Sequence, residues 1–304
     1  MSSVAGDRPH ITVCICTYRR PALLARLLHE LQYQDTEELF TFSIVVTDND
    51  PEESASRVVR DCAERSQLPI EYYIQRQQSI ALTRNAAIRH AKGEFVAFID
   101  DDEFPARDWL ATLFKALQYY DVDGVLGPVK RYFDEKPPGW VVKGHFYDRE
   151  TYPTGTVIDW RRGRTGNVLL RRNIFKLNER PFRPEFRQGE DQEFFYRHIK
   201  AGRRFIWCNE AVAYEIVPPI RWKRGFMIRR ALLRGAMEPL TPTFGGRDIL
   251  KSLIAVPSYV ALLPFTLFVG HHRFMSVLVS LFDHIGKLLA TIGVSPIKEP
   301  YVTH

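Results

Sequence analysis

Short apolar runs alternate with segments of helical period through the first 120 residues. Residues 11–16 are apolar and rich in β-formers. Residues 21–32 place Leu23, Leu24, Leu27, Leu28 and Leu31 at helical spacing, with Pro21 suited to a first turn. A second strand is predicted over 42–47 (FSIVVT), a polar-faced helix over 54–64 and a third strand over 71–75. A helix over 79–92, closed by Gly93, leads to a fourth strand over 95–99 (FVAFI) and a helix over 108–120. Strand and helix in regular alternation, about thirty residues per unit, predict a parallel sheet of βαβ units.

The next hundred residues are less regular. Strands are predicted over 124–133, 167–171, 204–208 and 211–216, a helix over 190–200 ending at Gly202, and a strongly basic helix over 220–234. Strands following a βαβ half predict a mixed sheet that extends the first. No repeats or low-complexity tracts interrupt the pattern.

In open α/β sheets, ligands bind beyond the carboxyl ends of the strands. Those ends deliver Thr17, Tyr18 and Arg19, then Asp48, Asn49 and Asp50, then Gln75 and Arg76, then Asp100, Asp101 and Asp102. In an extended chain Asp100 and Asp102 share one side and Asp101 takes the other. Paired carboxylates without an adjacent basic residue need a proton or a cation between them. Mg²⁺ and Mn²⁺ favour such oxygen ligands beside phosphate oxygens. The alternative is a solvated acidic loop.

Composition narrows the partners. Apolar residues make up 45% of 304, enough for a sizeable core, and the net charge is +6. A basic balance points to nucleic acid, anionic membrane or phosphorylated substrates. The basic residues are not interleaved with a recognisable nucleic-acid module. The first strand leads into CTYRRP and not G-x-G-x-x-G, which disfavours a standard dinucleotide site. The nine histidines form no H-x-x-x-H or H-E-x-x-H, and there is no G-x-S-x-G. Cys14 and Cys16 share one strand face and read as core residues; a lone C-x-C lacks the second half of a zinc site. The cysteine pattern fits a reducing compartment. MSSVAGDRPH has no apolar h-region, so no cleaved signal peptide is expected.

Asp48 in VVTDND, Arg84–Asn85 in ALTRNAAI, FIDDDE, and Glu190–Asp191 in GEDQEFF, with CICTYRRPALLARLL and the Thr165–Asn167 TGN, stand in an order that resembles family 2 glycosyltransferases. The likeness is to the bacterial exopolysaccharide branch, of the succinoglycan-glucosyltransferase type, and covers roughly residues 9–235. It implies a GT-A fold, a nucleotide-sugar donor, Mg²⁺ or Mn²⁺, and inversion at the anomeric carbon. By this resemblance residues 1–105 form the nucleotide-sugar half, 106–238 the acceptor and catalytic half of the same domain, and 239–304 an apolar helical region.

The resemblance also implies roles. Asp48 matches a base-reading aspartate, although DNDP is equally a turn signal. Thr17, Tyr18 and Arg84 line the nucleotide. Asp100 matches the ribose contact and Asp102 the metal ligand, with Asp101 unassigned. Asp191 matches the base for the acceptor hydroxyl. Glu190 joins the donor-site residues, while first-turn acids such as Glu190 and Glu193 also suit a helix N-terminus. The family often has glycine at the position of Ser79, and a histidine where AVAYEIVPPIRW carries Glu215. Glu215 is either a metal ligand or structural. Arg229 and Arg230 match a basic pair suited to clamping the diphosphate; otherwise they form a solvated face or meet anionic lipid.

Residues 253–270 (LIAVPSYVALLPFTLFVG) carry no charge, long enough for a spanning candidate, but Pro257 and Pro264 interrupt them. A broken hairpin in one leaflet, a span, or ordinary packed helices all fit. The basic helix just upstream suits anionic headgroups. The reading is an inverting, metal-dependent hexosyltransferase. It acts at the cytoplasmic face of the cell membrane, from a UDP-linked donor to a glycan or polyprenyl-linked saccharide, and without a nucleic-acid partner. The alternatives are a nucleotidyltransferase making nucleotide sugars, which would want a Gly-rich first loop, and an inactive nucleotide-sugar-binding scaffold.

Overall fold

Every second residue of the central strands faces a different core. The computed structural model describes residues 8–175, 180–186, 189–240, 244–294 and 297. In β1 (His10–Thr17), Ile11, Val13 and Ile15 enter one cluster and Cys14 the other. β2 (Thr41–Asp48) and β4 (Phe95–Ile99) divide in the same way. α1 (Pro21–Leu31), α2 (Ser56–Arg65) and α4 (Trp109–Tyr120) supply leucines, Val59 and Trp109 to the first cluster. α3 (Ile80–His90) contributes Ala81, Ala87 and Ile88 to the second. Burial on both faces explains why the strand sequences are almost wholly apolar.

With β3 (Ile70–Ile74), the first four strands pair in parallel, as the alternating pattern predicts. β5 (Glu103–Pro105) follows β4 at once. β6 (Gly124–Leu126), β8 (Asn167–Arg171) and β9 (Phe205–Trp207) extend the sheet to seven strands, in the order β3-β2-β1-β4-β8-β6-β9. β8 runs antiparallel to β4 and β6. The sheet is therefore mixed, and β1, flanked by β2 and β4, marks the switch point where a ligand crevice opens. β5 joins β10 (Ala213–Ile216) and β7 (Val129–Tyr132) in a second, three-stranded sheet.

The single strand predicted over 124–133 is thus two strands in different sheets. Gly127 and Pro128 cause the break. Pro128 has no N–H for a ladder, and a Cβ on Gly127 would lie 2.2 Å from the Ala211 carbonyl oxygen. Gly93 is also required, at φ +80 with a Cβ position 2.3 Å from the His10 carbonyl oxygen.

The chain forms two compact units, Met1–Arg131 with Arg149–Ile216, and Tyr132–Asp148 with Val217–His304. Within the first unit, β6, β8 and β9 share a sheet with β1–β4. The second unit holds α5 (Gly139–Lys143), α7 (Arg224–Met237), α8 (Gly246–Val269) and α9 (His271–Thr291). The helix predicted over 220–234 starts at Arg224, after a single 3₁₀ turn at Pro219–Trp222. α7 and α9 meet at two glycines: a Cβ on Gly235 would lie 1.9 Å from the Asp283 carbonyl oxygen, and one on Gly286 2.3 Å from that of Leu232. Arg234–Asp283 at 2.6 Å and Lys287–Glu238 at 2.5 Å flank the contact. α8 runs unbroken through Pro257 and Pro264, where the sequence predicts interruption.

α6 (Glu190–Lys200) is seated by aromatic packing. Phe194 stacks on Phe182 at 4.7 Å, and Phe182 meets Phe98 of β4 edge-on at 5.9 Å. His198 is buried with its ring 4.3 Å from Phe194. Burial, helped by Arg197 and Arg203, lowers its pKa from 6.5 to about 4. The unfolded chain therefore binds the proton more readily, and stability falls as pH drops from 6.5 towards 4. His198→Phe is expected to remove about 2 kcal/mol of the stability difference between pH 7.5 and pH 5, measured by urea unfolding at both values.

Candidate active site

The chain turns as soon as β4 ends. The Glu103 N–H donates to the Asp100 carbonyl at 3.0 Å, closing a turn over Asp100–Glu103. Extended-chain alternation therefore fails at the aspartates. Asp101 does not point away from Asp102: Arg20 Nη1 reaches Asp101 at 3.0 Å and Asp102 at 3.3 Å. Thr17 Oγ1 donates to Asp101 at 2.8 Å. Arg20 is the basic neighbour that local spacing does not reveal. Burial, opposed by Arg20 and reinforced by Asp102, pushes Asp101 up to about 6. Asp100 turns the other way, towards Arg84 at 3.9 Å, and is the most open of the three, with 45% of its side chain exposed against 6% for Asp101 and 10% for Asp102.

Glu103 and Glu215 face each other across the β5–β10 ladder. Like charges directly opposite are unfavourable. Arg149 offsets them, donating to Glu215 at 2.5 Å. Burial, with Asp100, Asp102 and Glu215 nearby, raises Glu103 well above its usual range. Its Oε1 is buried without a hydrogen-bond partner among the described residues, as is Thr165 Oγ1. Gly166 admits these groups: a Cβ there would lie 2.9 Å from both Asp100 Oδ2 and Glu103 Oε1. Asn167 is structural, bridging Pro128, Ala211 and the Trp109 indole. Glu103, Arg20 and Arg149 were missed as site residues because their partners are distant in sequence. Glu103 alone carried a local signal, as the fourth acid in the run.

Arg84 and Asn85 of α3 fasten the opposite wall. The buried Arg84 guanidinium binds the Glu190 carboxylate. Asn85 makes a two-way bond with the Phe182 backbone, donating at 2.6 Å and accepting at 2.9 Å. Burial pushes Glu190 up to about 7, with Asp191 adding to the rise and Arg84 opposing it. Glu190 is therefore a tertiary partner of Arg84 and not merely a helix-end acid. Glu193 pairs with Arg197 at 2.6 Å and Arg183 at 3.2 Å. Asp191 is part-buried at the N-terminus of α6, where its Oδ1 accepts the Gln192 N–H at 2.7 Å. Gly189 precedes it at φ +78, and a Cβ there would meet nothing within 4 Å, so conformation and not crowding selects glycine.

Asp48 is fully buried at the end of β2 and accepts from Asp50 N at 2.9 Å, Ala55 N at 3.0 Å and Tyr72 Oη at 2.9 Å. It closes the turn that its sequence signalled. Asn49 ties the Gln75–Gln77 loop to Ser79. Ser79 sits at φ −169, extended backbone that any residue adopts, so the absence of glycine leaves the loop unstrained. Tyr18 is half-buried, with the Arg19 guanidinium 5.2 Å from its ring. Arg229 and Arg230 lie exposed on α7 in the second unit, Arg230 at 5.9 Å over Tyr147.

Among the described residues, no three His, Cys, Asp or Glu side chains converge as a ready metal cage. Asp100 and Asp102 nonetheless fit a hard divalent cation in donor type; burial, with Asp102 adding to it and Arg84 opposing it, raises the Asp100 pKa. Such a cation takes one or two carboxylates and completes its shell with phosphate oxygens and water.

A model of the family described as glycosyl transferase family 2 matches residues 12–206. The chain is 33% identical over 228 residues to the succinoglycan biosynthesis protein ExoM of Rhizobium meliloti, covering 74% of this chain and 73% of that protein. It is 27% identical over 246 residues to the hyaluronan synthase of Pasteurella multocida, covering 69% of this chain and 25% of the synthase. Thus it spans about a quarter of that relative's length. Among solved structures, the Pyrobaculum calidifontis mannosyltransferase PcManGT with GDP-Man and Mn²⁺ superposes with a TM-score of 0.65 at 19% identity, over 98% of this chain and 91% of that one. S. aureus TarS 1-349 in complex with UDP gives 0.53 at 18%, over 93% and 92%. These likenesses establish the fold, which is GT-A.

The Arg84–Glu190 pair makes a stability prediction. Arg84→Met strands a buried carboxylate and is expected to cost about 3–5 kcal/mol at pH 8. The cost should shrink as pH falls, because burial and Asp191 already raise Glu190 and the substitution removes the arginine that opposes them. The double variant Arg84→Met/Glu190→Gln should recover most of the loss. Urea unfolding at pH 8 and pH 5.5 checks all three outcomes.

Proposed function

The chain belongs to glycosyl transferase family 2, and we propose that it is an inverting, metal-dependent hexosyltransferase of polysaccharide biosynthesis, using a nucleotide diphosphate sugar, most simply UDP-linked. One observation carries the reading. Arg84 joins Glu190 and stands 3.9 Å from Asp100, so the donor-side carboxylates and the Asp191 helix end are built into one crevice wall. The names of ExoM and the hyaluronan synthase support polysaccharide synthesis. A TarS complex with UDP and a mannosyltransferase complex with GDP-Man and Mn²⁺ support a nucleotide-sugar donor and a divalent ion.

In this mechanism the nucleotide lies along the ends of β1, β2 and β4. Thr17 and Tyr18 flank it, and Asp100 accepts from a ribose hydroxyl. Asp48 retains one acceptor position for the base, since a carboxylate has about four and three are used. The Arg84 guanidinium faces the diphosphate. Asp102 and Asp100, with Glu215 as a further oxygen donor, would hold Mg²⁺ or Mn²⁺, which supplies charge neutralisation to the leaving diphosphate. Asp191 takes the proton of the acceptor hydroxyl as its oxygen bonds to the anomeric carbon. The carbon–oxygen bond to the diphosphate breaks on the opposite face, which inverts the centre.

The second unit supports a membrane-surface location. α8 and α9 are long and apolar enough to cross a membrane by length and composition. α8 exposes Leu253, Ile254, Phe265, Leu267 and Phe268, the last at 92%. α9 carries Asp283 and Lys287, which pair with α7. We therefore place the apolar face of α8 in the cytoplasmic leaflet. There the enzyme meets a glycan or polyprenyl-linked acceptor.

Two experiments test this reading. Purified protein with Mn²⁺ and a panel of UDP-, GDP- and dTDP-sugars is expected to release one nucleotide. EDTA should abolish release, and Mn²⁺ or Mg²⁺ should restore it. Asp191→Asn should lower transfer by about 10²–10⁴-fold with donor affinity retained. Full turnover in EDTA would remove the metal assignment, and loss of donor binding in Asp191→Asn would make that residue structural. Separately, the full chain should co-sediment with anionic vesicles. Phe265→Ser/Phe268→Ser should release most of it, and unchanged sedimentation would exclude α8 as the contact.

A further inference from the structure

A recess of about 250 Å³ opens on the antiparallel side of the first unit, bordered by Gly166, Asn167 and Trp207. Its charge is lopsided. Arg149, Arg161, Arg162 and Arg164 line it against the single carboxylate of Glu150. Three of these arginines fall within the four residues 161–164. Arg149 is committed to Glu215, and Arg161 lies 3.4 Å from Asp159. Among the described residues, Arg162 and Arg164 have no ion pair. Arg162 instead stacks 4.2 Å over Tyr152, whose ring meets Trp207 edge-on at 5.3 Å. Arg161, Arg162 and Arg164 are solvent-exposed at the mouth of the recess, so their guanidiniums are accessible to an oxyanion entering it.

The recess adjoins the proposed chemistry on two sides. Gly166 borders it and also touches the Asp100 and Glu103 carboxylates. The arginine loop is fixed to α6, the helix that presents Asp191. Gln192 Nε2 donates to the Arg161 carbonyl at 3.2 Å, and a Cβ on Gly163 would lie 2.3 Å from the Phe195 ring. Asp159 caps the turn through Arg161 N at 3.0 Å. The arginine loop is thus anchored to the helix that carries Asp191, and the recess is bordered by residues of β6, β8 and β9, the end of the sheet away from β1–β3.

We infer that this recess is an acceptor subsite for an anionic substituent, a carboxylate or phosphate group carried by the acceptor glycan. The inference rests on the transferase reading above and adds the charge of its acceptor. The carboxylates of the crevice would otherwise turn such an acceptor away. Arg162 and Arg164 convert that repulsion into a preference and leave a neutral acceptor without compensation.

The test uses the full chain saturated with UDP and Mn²⁺, so that added anions cannot occupy the donor site. Three probes are titrated by tryptophan fluorescence: a trisaccharide ending in glucuronate, the same trisaccharide ending in glucose, and inorganic pyrophosphate. A charged probe should bind about tenfold more tightly than the neutral one, and the preference should weaken at high salt. Arg162→Gln/Arg164→Gln should erase the preference, with UDP titration showing that the fold is intact. Preference for the uronide assigns the anion to an acidic sugar; preference for pyrophosphate assigns it to a lipid-carrier diphosphate. Equal binding of the two trisaccharides together with no pyrophosphate binding, or a preference that survives the double substitution, would overturn the inference. Failure of the wild-type protein to bind UDP would instead overturn the transferase reading, so the two failures are distinguishable.

Discussion

The buried contact between Arg84 and Glu190 spans 106 residues of sequence and joins the two halves of the sheet domain. A buried ion pair gains little over an apolar pair of the same volume, but losing one partner is severe. Its value is therefore positional. Asn85 fixes Phe182 beside it, and Phe182 stacks on Phe194, so α6 cannot slide along the sheet without breaking hydrogen bonds and aromatic contacts together. Asp191 is one residue from the pair, and Asp100 lies within 4 Å of the same guanidinium. The placement of these acids depends on a contact whose partners lie in different halves of the chain.

The same economy governs the rest of the crevice. Arg20 serves Asp101 and Asp102, Arg149 serves Glu215, and Arg84 serves Glu190, each arginine arriving from a different element. Carboxyl groups outnumber these guanidiniums, and burial raises Glu103, Glu190 and Asp101 towards their neutral forms. A diphosphate entering alone would face this remaining negative charge at short range. Entry together with a divalent cation removes the conflict, which is the physical reason for reading Asp100 and Asp102 as metal-facing. The arginines at 161–164 add positive charge to the recess bordered by Gly166, at which a Cβ would approach Asp100 and Glu103.

Hydrophobic period made the fold legible where burial decides the structure. FVAFI is β4 end to end, and the bounds of α6 were visible because Phe194, Phe195 and His198 fall on one face. The site list was legible because ligands gather at strand ends. Local rules failed where a tertiary contact prevailed. The aspartates form a turn and not an extended run, since Glu103 must begin a strand paired with β10. Residues 124–133 read as one strand, yet the crowding at Gly127 and the missing N–H of Pro128 divide them. Arg20 and Arg149 carried no signal, because a salt bridge across 66 or 81 residues leaves no periodicity. The arginines at 161–164 did carry one, a cluster of like charge beside Trp160, whose use only the recess discloses.

The prolines of α8 illustrate how solvent changes the meaning of a sequence rule. In water, each interior proline removes a backbone donor and should break the helix. α8 is nevertheless continuous through both. In the apolar surroundings proposed for α8, an unwound segment would strand more backbone groups than the proline does, which favours a continuous helix. α9 cannot share that environment along its whole length, because Asp283 is bound to Arg234 of the basic α7 and Lys287 to Glu238 just after it. The demand for an apolar medium therefore falls on α8. A helix apolar on its outer face, backed by charged helices, is better satisfied lying at an interface than crossing a bilayer.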